Sequence, residues 1–164
     1  MSFCPMIRTA EYNDFAVIAD ALDETQRRML RAIAPEASPM AALMRLAGMH
    51  PLAATVEREG KPVVIAGAVI NDPHTASVFL FCAADAGQAE FVAAATYFKD
   101  VLFPAMAAEG VRRLYHVMLA DDPGASAWGR REQVLKAAGR NGEDLAVHSV
   151  GLPQPPQQAA GGVN

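Results

Sequence analysis

An apolar strand that runs through a short acidic turn into a long helix sets the terms for this chain. Ser77-Val78-Phe79-Leu80-Phe81-Cys82 is β-branched and aromatic, the composition of a buried strand. Phe91, Ala95, Phe98, Leu102 and Met106 follow at spacings of three and four and predict a helix with one apolar face. Between them lies Ala83-Ala84-Asp85-Ala86-Gly87-Gln88. Tight strand-to-helix turns are where many α/β folds hold a phosphate, because the first helical N–H groups lack partners and lie at the positive end of the dipole. Here Asp85 and Gln88 have the spacing of a capping box. A capping carboxylate takes the N–H groups and the field that a phosphate needs, so the junction reads as a structural joint with the outline of a ligand site.

At 164 residues the chain has the size of one domain and can bury a core without disulfide staples. The net charge of −4 and pI of about 5.5 give no global attraction to nucleic acid or anionic membrane. Cys4 and Cys82 make neither a disulfide framework nor a metal-ligand set, and Cys82 reads as a small buried hydrophobe. The first residues lack a basic segment followed by an apolar core, so no signal peptide is expected. Charge, Pro or Gly interrupts each apolar stretch before the roughly 18 residues that a membrane span requires.

Met6 to Thr9 predicts a short strand, and Phe15, Ile18, Ala19 and Leu22 a first helix with Asp14 in its first turn. Asp23 and Gln26 have capping-box spacing before Met29, Leu30 and Ile33, and Arg27, Arg28 and Arg31 form a solvated face of that second helix. Ser38-Pro39 starts a third helix. Ala53 to Arg58, a turn at Glu59-Gly60-Lys61-Pro62, Val63 to Ile70, a turn at Asn71 to His74 and the Ser77 strand form an antiparallel meander. Pro104 kinks the long helix or ends its regular part early, and Gly110 is available as a left-handed cap. Arg113 to Leu119 is the next strand. Asp122-Pro123 opens a last helix with Trp128, Arg131, Val134, Leu135 and Ala138 inward and Arg130, Arg131, Lys136 and Arg140 outward as a solvated basic face. Leu145 to Val150 is a final strand. The expected fold is α/β (α+β), a mixed, mostly antiparallel sheet with helices on both faces. It spans residues 1–150, followed by a Pro/Gln/Gly-rich tail, 151–164, with too few apolar residues to pack alone.

Over Met6 to Val150 the chain resembles the GCN5-related N-acetyltransferase superfamily. Three places carry the likeness: the opening Ile7-Arg8-x-Ala10-x-x-x-Asp14-x-x-x-Ile18, the meander with its following strand, turn and helix, and Leu119-Ala120-Asp121-Asp122-Pro123-Gly124-Ala125-Ser126-Ala127-Trp128. The resemblance implies acetyl-CoA held at the strand–helix turn by a basic residue and a Gly-x-Gly. This chain has Ala84-Asp85-Ala86-Gly87 there, which makes Asp85, Ala86, Gly87 and Gln88 a degenerate cofactor loop. The family's general-acid Tyr corresponds to Gly129, and Val78 to Cys82 holds no carboxylate to act as base.

The expectation is therefore a catalytically silent acetyltransferase-like domain, with no catalytic residues, no cofactor and no metal. The alternative is an acetyl-CoA-dependent N-acetyltransferase with an atypical pyrophosphate loop. The short opening and reduced loop also resemble small acetyltransferase-like proteins of tailed-phage structural gene clusters. That likeness implies a virion component made in the host cytoplasm, or a cytoplasmic protein on the alternative reading. Its partners would be other protein chains, met through Gly151, Leu152, Pro153, Gln154, Pro155 and Pro156; neither membrane nor nucleic acid is expected as a partner. If the last strand inserts beside the Arg113 strand, as in the family, His116 and His148 approach each other as spaced core or edge histidines.

Overall fold

The computed structural model describes residues 4–35, 38–122, 133–154 and 156, with backbone alone at 133–135. Strand β1 (Met6–Thr9) leads into helices α1 (Tyr12–Ala21), α2 (Glu24–Ile33) and α3 (Pro39–Ala47). The meander β2 (Ala54–Arg58), β3 (Lys61–Asp72) and β4 (Thr75–Cys82) follows, then α4 (Gln88–Tyr97), a π-helical turn (Phe98–Leu102) and α5 (Phe103–Ala108). The chain then forms β5 (Arg113–Leu119), β6 (Gln133–Ala138) and β7 (Asp144–Gly151). The strands lie in one sheet in the order β1-β2-β3-β4-β5-β7-β6. Every adjacent pair is antiparallel except β4 and β5.

Local chemistry explains most boundaries. The Asp23 carboxylate accepts the Gln26 N–H at 2.8 Å at the start of α2, and the Ser38 hydroxyl accepts the Ala41 N–H ahead of α3, with Pro39 in the first turn. Glu59 and Gly60 both take positive φ, +53° and +75°, the backbone of a two-residue turn whose twist matches its strands. Gly110, at φ +99°, ends α5 as the left-handed cap its position suggested.

Helices α1 and α3 cover one sheet face, where Phe15, Ile18 and Leu43 join Ile65, Phe79 and Phe81 in one core cluster. On the opposite face Phe98, Leu102 and Met106 pack with Ala66, Ala68, Ala76, Val78 and Leu114. Val63, Val64 and Ile65 have no exposed surface, which places β3 at the centre with both faces buried.

Two expectations need correction. The inward residues of the long helix begin Glu90 and Ala94, not Phe91 and Ala95; Phe91 is 42% exposed. The shift follows from Pro104, which gives no N–H to the carbonyl four residues back and crowds it. The backbone widens instead, and the Phe103 N–H reaches the Phe98 carbonyl five residues behind. Glu90, Ala94, Phe98, Leu102 and Met106, each four apart, thereby stay on one side. By length and composition Gln88–Ala108 could cross a membrane, against the sequence expectation, yet it lies on the sheet with that side buried.

The second correction concerns the expected last helix. Val134, Leu135 and Ala138 lie on β6, and exposed Lys136 lies on the same strand. A turn closed by the Gly139 N–H to the Glu143 carbonyl folds this segment onto β7, with pairs from Gln133 opposite Ser149 to Ala138 opposite Asp144. The Arg140 N–H donates to the Ala32 carbonyl and ties the turn to α2. The expected helix start at Pro123, with Gly129, Trp128, Arg130 and Arg131, lies outside the described residues.

Candidate functional site

The parallel β4–β5 pairing is short. It runs from Thr75 opposite Arg113 to Val78 opposite His116, after which the strands part. Which backbone groups the fork exposes follows from alternation in the antiparallel pairs. The Ala83 N–H donates to the Val63 carbonyl, so odd-numbered residues along β4 face β3, and Leu80 and Cys82 face the fork. On β5 the Ala120 N–H donates to Asp144 and the Arg112 carbonyl accepts from Leu152, so even-numbered residues face β7, and Val117 and Leu119 face the fork. Such a gap between two edges can hold an extended ligand that pairs with backbone.

One arm of this fork is already taken. The Gln26 side chain, from the first turn of α2, donates Nε2 to the Cys82 carbonyl at 2.9 Å and accepts the Cys82 N–H on Oε1 at 2.7 Å. A primary amide sits where the amide of an extended ligand would pair. Gln26 therefore does not return its side chain to Asp23 as the second half of a capping box. Burial pushes the Cys82 thiol up to about 12, with the Asp23 charge adding to it, so it stays protonated as a small buried hydrophobe.

Part of the loop beyond β4 is engaged in the same way. The Ala83 N–H goes to Val63, the Ala84 N–H to the Ala21 carbonyl at 2.7 Å, and the Ala86 N–H to Ala83 at 3.0 Å. Helix α4 starts at Gln88 with Gly87 as N-cap, and the capping carboxylate belongs to Glu90, whose Oε2 accepts the Gly87 N–H at 2.9 Å. The expected cap, Asp85, points elsewhere: Arg58 from β2 bonds its carboxylate at 2.5 Å and its carbonyl at 3.0 Å. The same guanidinium lies 3.6 Å from Glu90, which is 5% exposed. Asp85, Ala86, Gly87 and Gln88 thus stand together at the helix start as expected, and the one guanidinium there faces two carboxylates, which leaves an excess of negative charge. Gln88 is simply the first helical residue. The signal for the true cap was the Gly87-x-x-Glu90 spacing.

Of the tail residues, Gly151 closes β7, Leu152 donates its N–H to the Arg112 carbonyl and packs on the α5-side core, and Leu152, Pro153 and Gln154 line a groove of about 410 Å³ with Lys99, Phe103, Pro104 and Ala107. Pro156 is exposed, and Pro155 lies outside the described residues. The arginines of α2 stay at the surface as expected, each with a hydrogen-bond partner. Arg28 bonds Glu143 at 2.9 Å and Asp121 at 3.2 Å, Arg31 bonds Glu24, and Arg27 bonds the carbonyls of Leu22 and Asp20.

The forked sheet, with a meander before it and a helix leading from the fork, is matched among solved structures. A putative acetyltransferase from Salmonella typhimurium, with its cofactor acetyl-CoA, aligns at a TM-score of 0.66 and 13% identity, over 96% of this chain and 99% of that one. The ribosomal-protein-S18-alanine N-acetyltransferase from Escherichia coli aligns at 0.61 and 16%, over 94% and 97%. A phosphinothricin acetyltransferase from Sinorhizobium meliloti in complex with acetyl-CoA aligns at 0.63 and 18%, over 94% and 95%. No family model matches the sequence, and no curated relative does. The chain has the fold of the GCN5-related N-acetyltransferases, and what it presents is an acetyltransferase-like domain.

Proposed function

We propose that this acetyltransferase-like domain is catalytically silent and works by protein contact. The observation that carries the reading is the double hydrogen bond from Gln26 to Cys82, which occupies the β4 edge where an extended acyl carrier would pair. The loop supports it from the other side: Ala83, Ala84, Ala86 and Gly87 already direct their N–H groups to internal acceptors, and a pyrophosphate would meet the Glu90 and Asp85 carboxylates. The test is thermal unfolding with millimolar acetyl-CoA. The expected result is an unchanged melting temperature, since a ligand that does not bind the native state cannot stabilise it. A rise of several degrees would favour an acetyl-CoA-dependent N-acetyltransferase with a rebuilt loop.

The contact surface in this proposal is the segment Gly151 to Pro156, and the assembly a tailed-phage virion, the setting implied by the short opening and reduced loop. The groove beside Phe103 and Pro104 supports the tail's part, because it leaves apolar surface next to an extended, proline-rich chain. Removing residues 153–164, beyond the packed Leu152, is expected to leave the domain folded and to reduce its co-sedimentation with particles severalfold. Undiminished co-sedimentation would count against the tail, and a soluble monomer or dimer with no particle-bound copies would point to a regulatory role.

A further inference from the structure

The buried residues of the long helix recur at every fourth position from Glu90 to Met106, so the positions between them fall into stripes of the same period. One step beyond each inward residue stand Phe91, Ala95, Lys99, Phe103 and Ala107. Two steps beyond stand Val92, Thr96, Asp100, Pro104 and Ala108, all exposed. This double stripe is apolar at both ends, and its only charges, Lys99 and Asp100, stand in the middle. At one end Phe91 is 42% and Val92 57% exposed. The other end is hollow, where Phe103, Pro104 and Ala107 line the groove of about 410 Å³. A bulky apolar end and a concave apolar end, with opposite charges between them, make a face that is complementary to itself.

We propose that this face is the contact between two copies of the chain, laid antiparallel about a twofold axis that passes between Lys99 and Asp100. In that register Lys99 meets the partner's Asp100, and Asp100 meets the partner's Lys99. Among the described residues no ion pair or side-chain hydrogen bond engages either group, so both are available for the contact. Ala95 falls against the partner's Pro104, and the helices come closest where the side chains are small. Phe91 and Val92 fall against the partner's Ala108 and Ala107, at the mouth of its groove, and the axis repeats each contact once. A slip that centred the axis on Lys99 would set like charges together, so the charges fix the register while the apolar ends supply the burial. The contact depends neither on catalytic silence nor on the tail.

Sedimentation equilibrium of the untagged full chain, from about 1 to 300 µM at low salt where exposed charges are least screened, tests the contact. One helix face per copy lies at the small end of specific interfaces, about 1,200 Å² or less in all, so a reversible dimer dissociating at about 10–100 µM is expected. Lys99→Asp and Asp100→Lys are each expected to weaken it about tenfold or more, because each reversal opposes like charges twice across the axis. Both positions are exposed, so neither change disturbs the core. An equimolar mixture of the two variants should recover the native affinity as a heterodimer, since the acidic face then meets the basic one. A chain that stays monomeric throughout would overturn the proposal. So would a dimer that neither reversal weakens, or one that the mixture fails to restore. Monomers that instead co-sediment with phosphatidylcholine vesicles would also overturn it, and would assign the face to a lipid surface.

Discussion

Replacing Gly67 with alanine is expected to destabilise the protein by about 3 kcal/mol or more, the upper end for forcing extra volume into a packed core. Gly67 sits in the middle of β3 opposite Phe79, on the face covered by α3. A Cβ built there lies 1.9 Å from the Ala47 carbonyl oxygen and 2.7 Å from its Cα. The obstacle is backbone, at the last turn of a helix whose Leu43 and Ala47 are fully buried, so no side-chain rotation relieves it. Either α3 lifts off the sheet or the strand bows, and both open the cluster around Phe15, Ile18 and Ile65. Urea unfolding of Gly67→Ala against the native chain measures the cost. A loss below 1 kcal/mol would mean that α3 is far looser on the sheet than its packing implies.

How far the sequence foretold this molecule depends on the reach of each interaction. Asp23, Ser38-Pro39, Glu59-Gly60 and Gly110 mark their boundaries correctly because caps and turns are decided within a few residues. The cap of α4 is different. Asp85 and Glu90 both stand at plausible distances from the helix start, and the choice falls to Glu90 because Arg58, 27 residues earlier in the chain, draws Asp85 aside. Gln26 resembles half of a capping box until β4 arrives 56 residues later and offers it a backbone edge. Val134, Leu135 and Ala138 have helical spacing, but the turn at Gly139 to Glu143 supplies a strand partner, and pairing outweighs local pattern. The one-residue error on the long helix has a local cause, Pro104, whose effect on the preceding turn could have been read as a widening rather than a kink. The fork itself was not read from the sequence, since no single residue announces where two strands part.

Substituting Asp14 by asparagine is expected to cost about 3 kcal/mol and to flatten the acid limb of the stability curve. The Asp14 side chain is 4% exposed and accepts four hydrogen bonds: two from Arg8 at 2.7 and 2.8 Å, one from the Glu11 N–H at 2.7 Å and one from the Thr55 hydroxyl at 2.8 Å. These join β1, the start of α1 and β2 through one carboxylate. Arg8 keeps Glu57 at 2.6 Å and is 29% exposed, so it is not stranded by the change, which holds the cost below that of breaking a fully buried pair. Burial by itself would raise the Asp14 carboxyl; the hydrogen bonds from Arg8, Glu11 and Thr55 outweigh it and hold the group below the ordinary aspartate value of 3.8. A depressed carboxyl binds protons more readily in the unfolded chain, so its contribution is complete at neutral pH. It begins to fall as pH nears 3.8 and is lost as pH drops through the lower native value. Glu143 beside Arg28 and Asp72 beside Thr75 are lowered as well and shape the same acid limb, but both are unchanged in the variant. The difference between native and Asp14→Asn urea midpoints, followed from pH 7 to pH 2, therefore isolates Asp14. It should narrow toward zero only at the acid end, and a difference independent of pH would show that the carboxylate's charge is not what binds these three elements together.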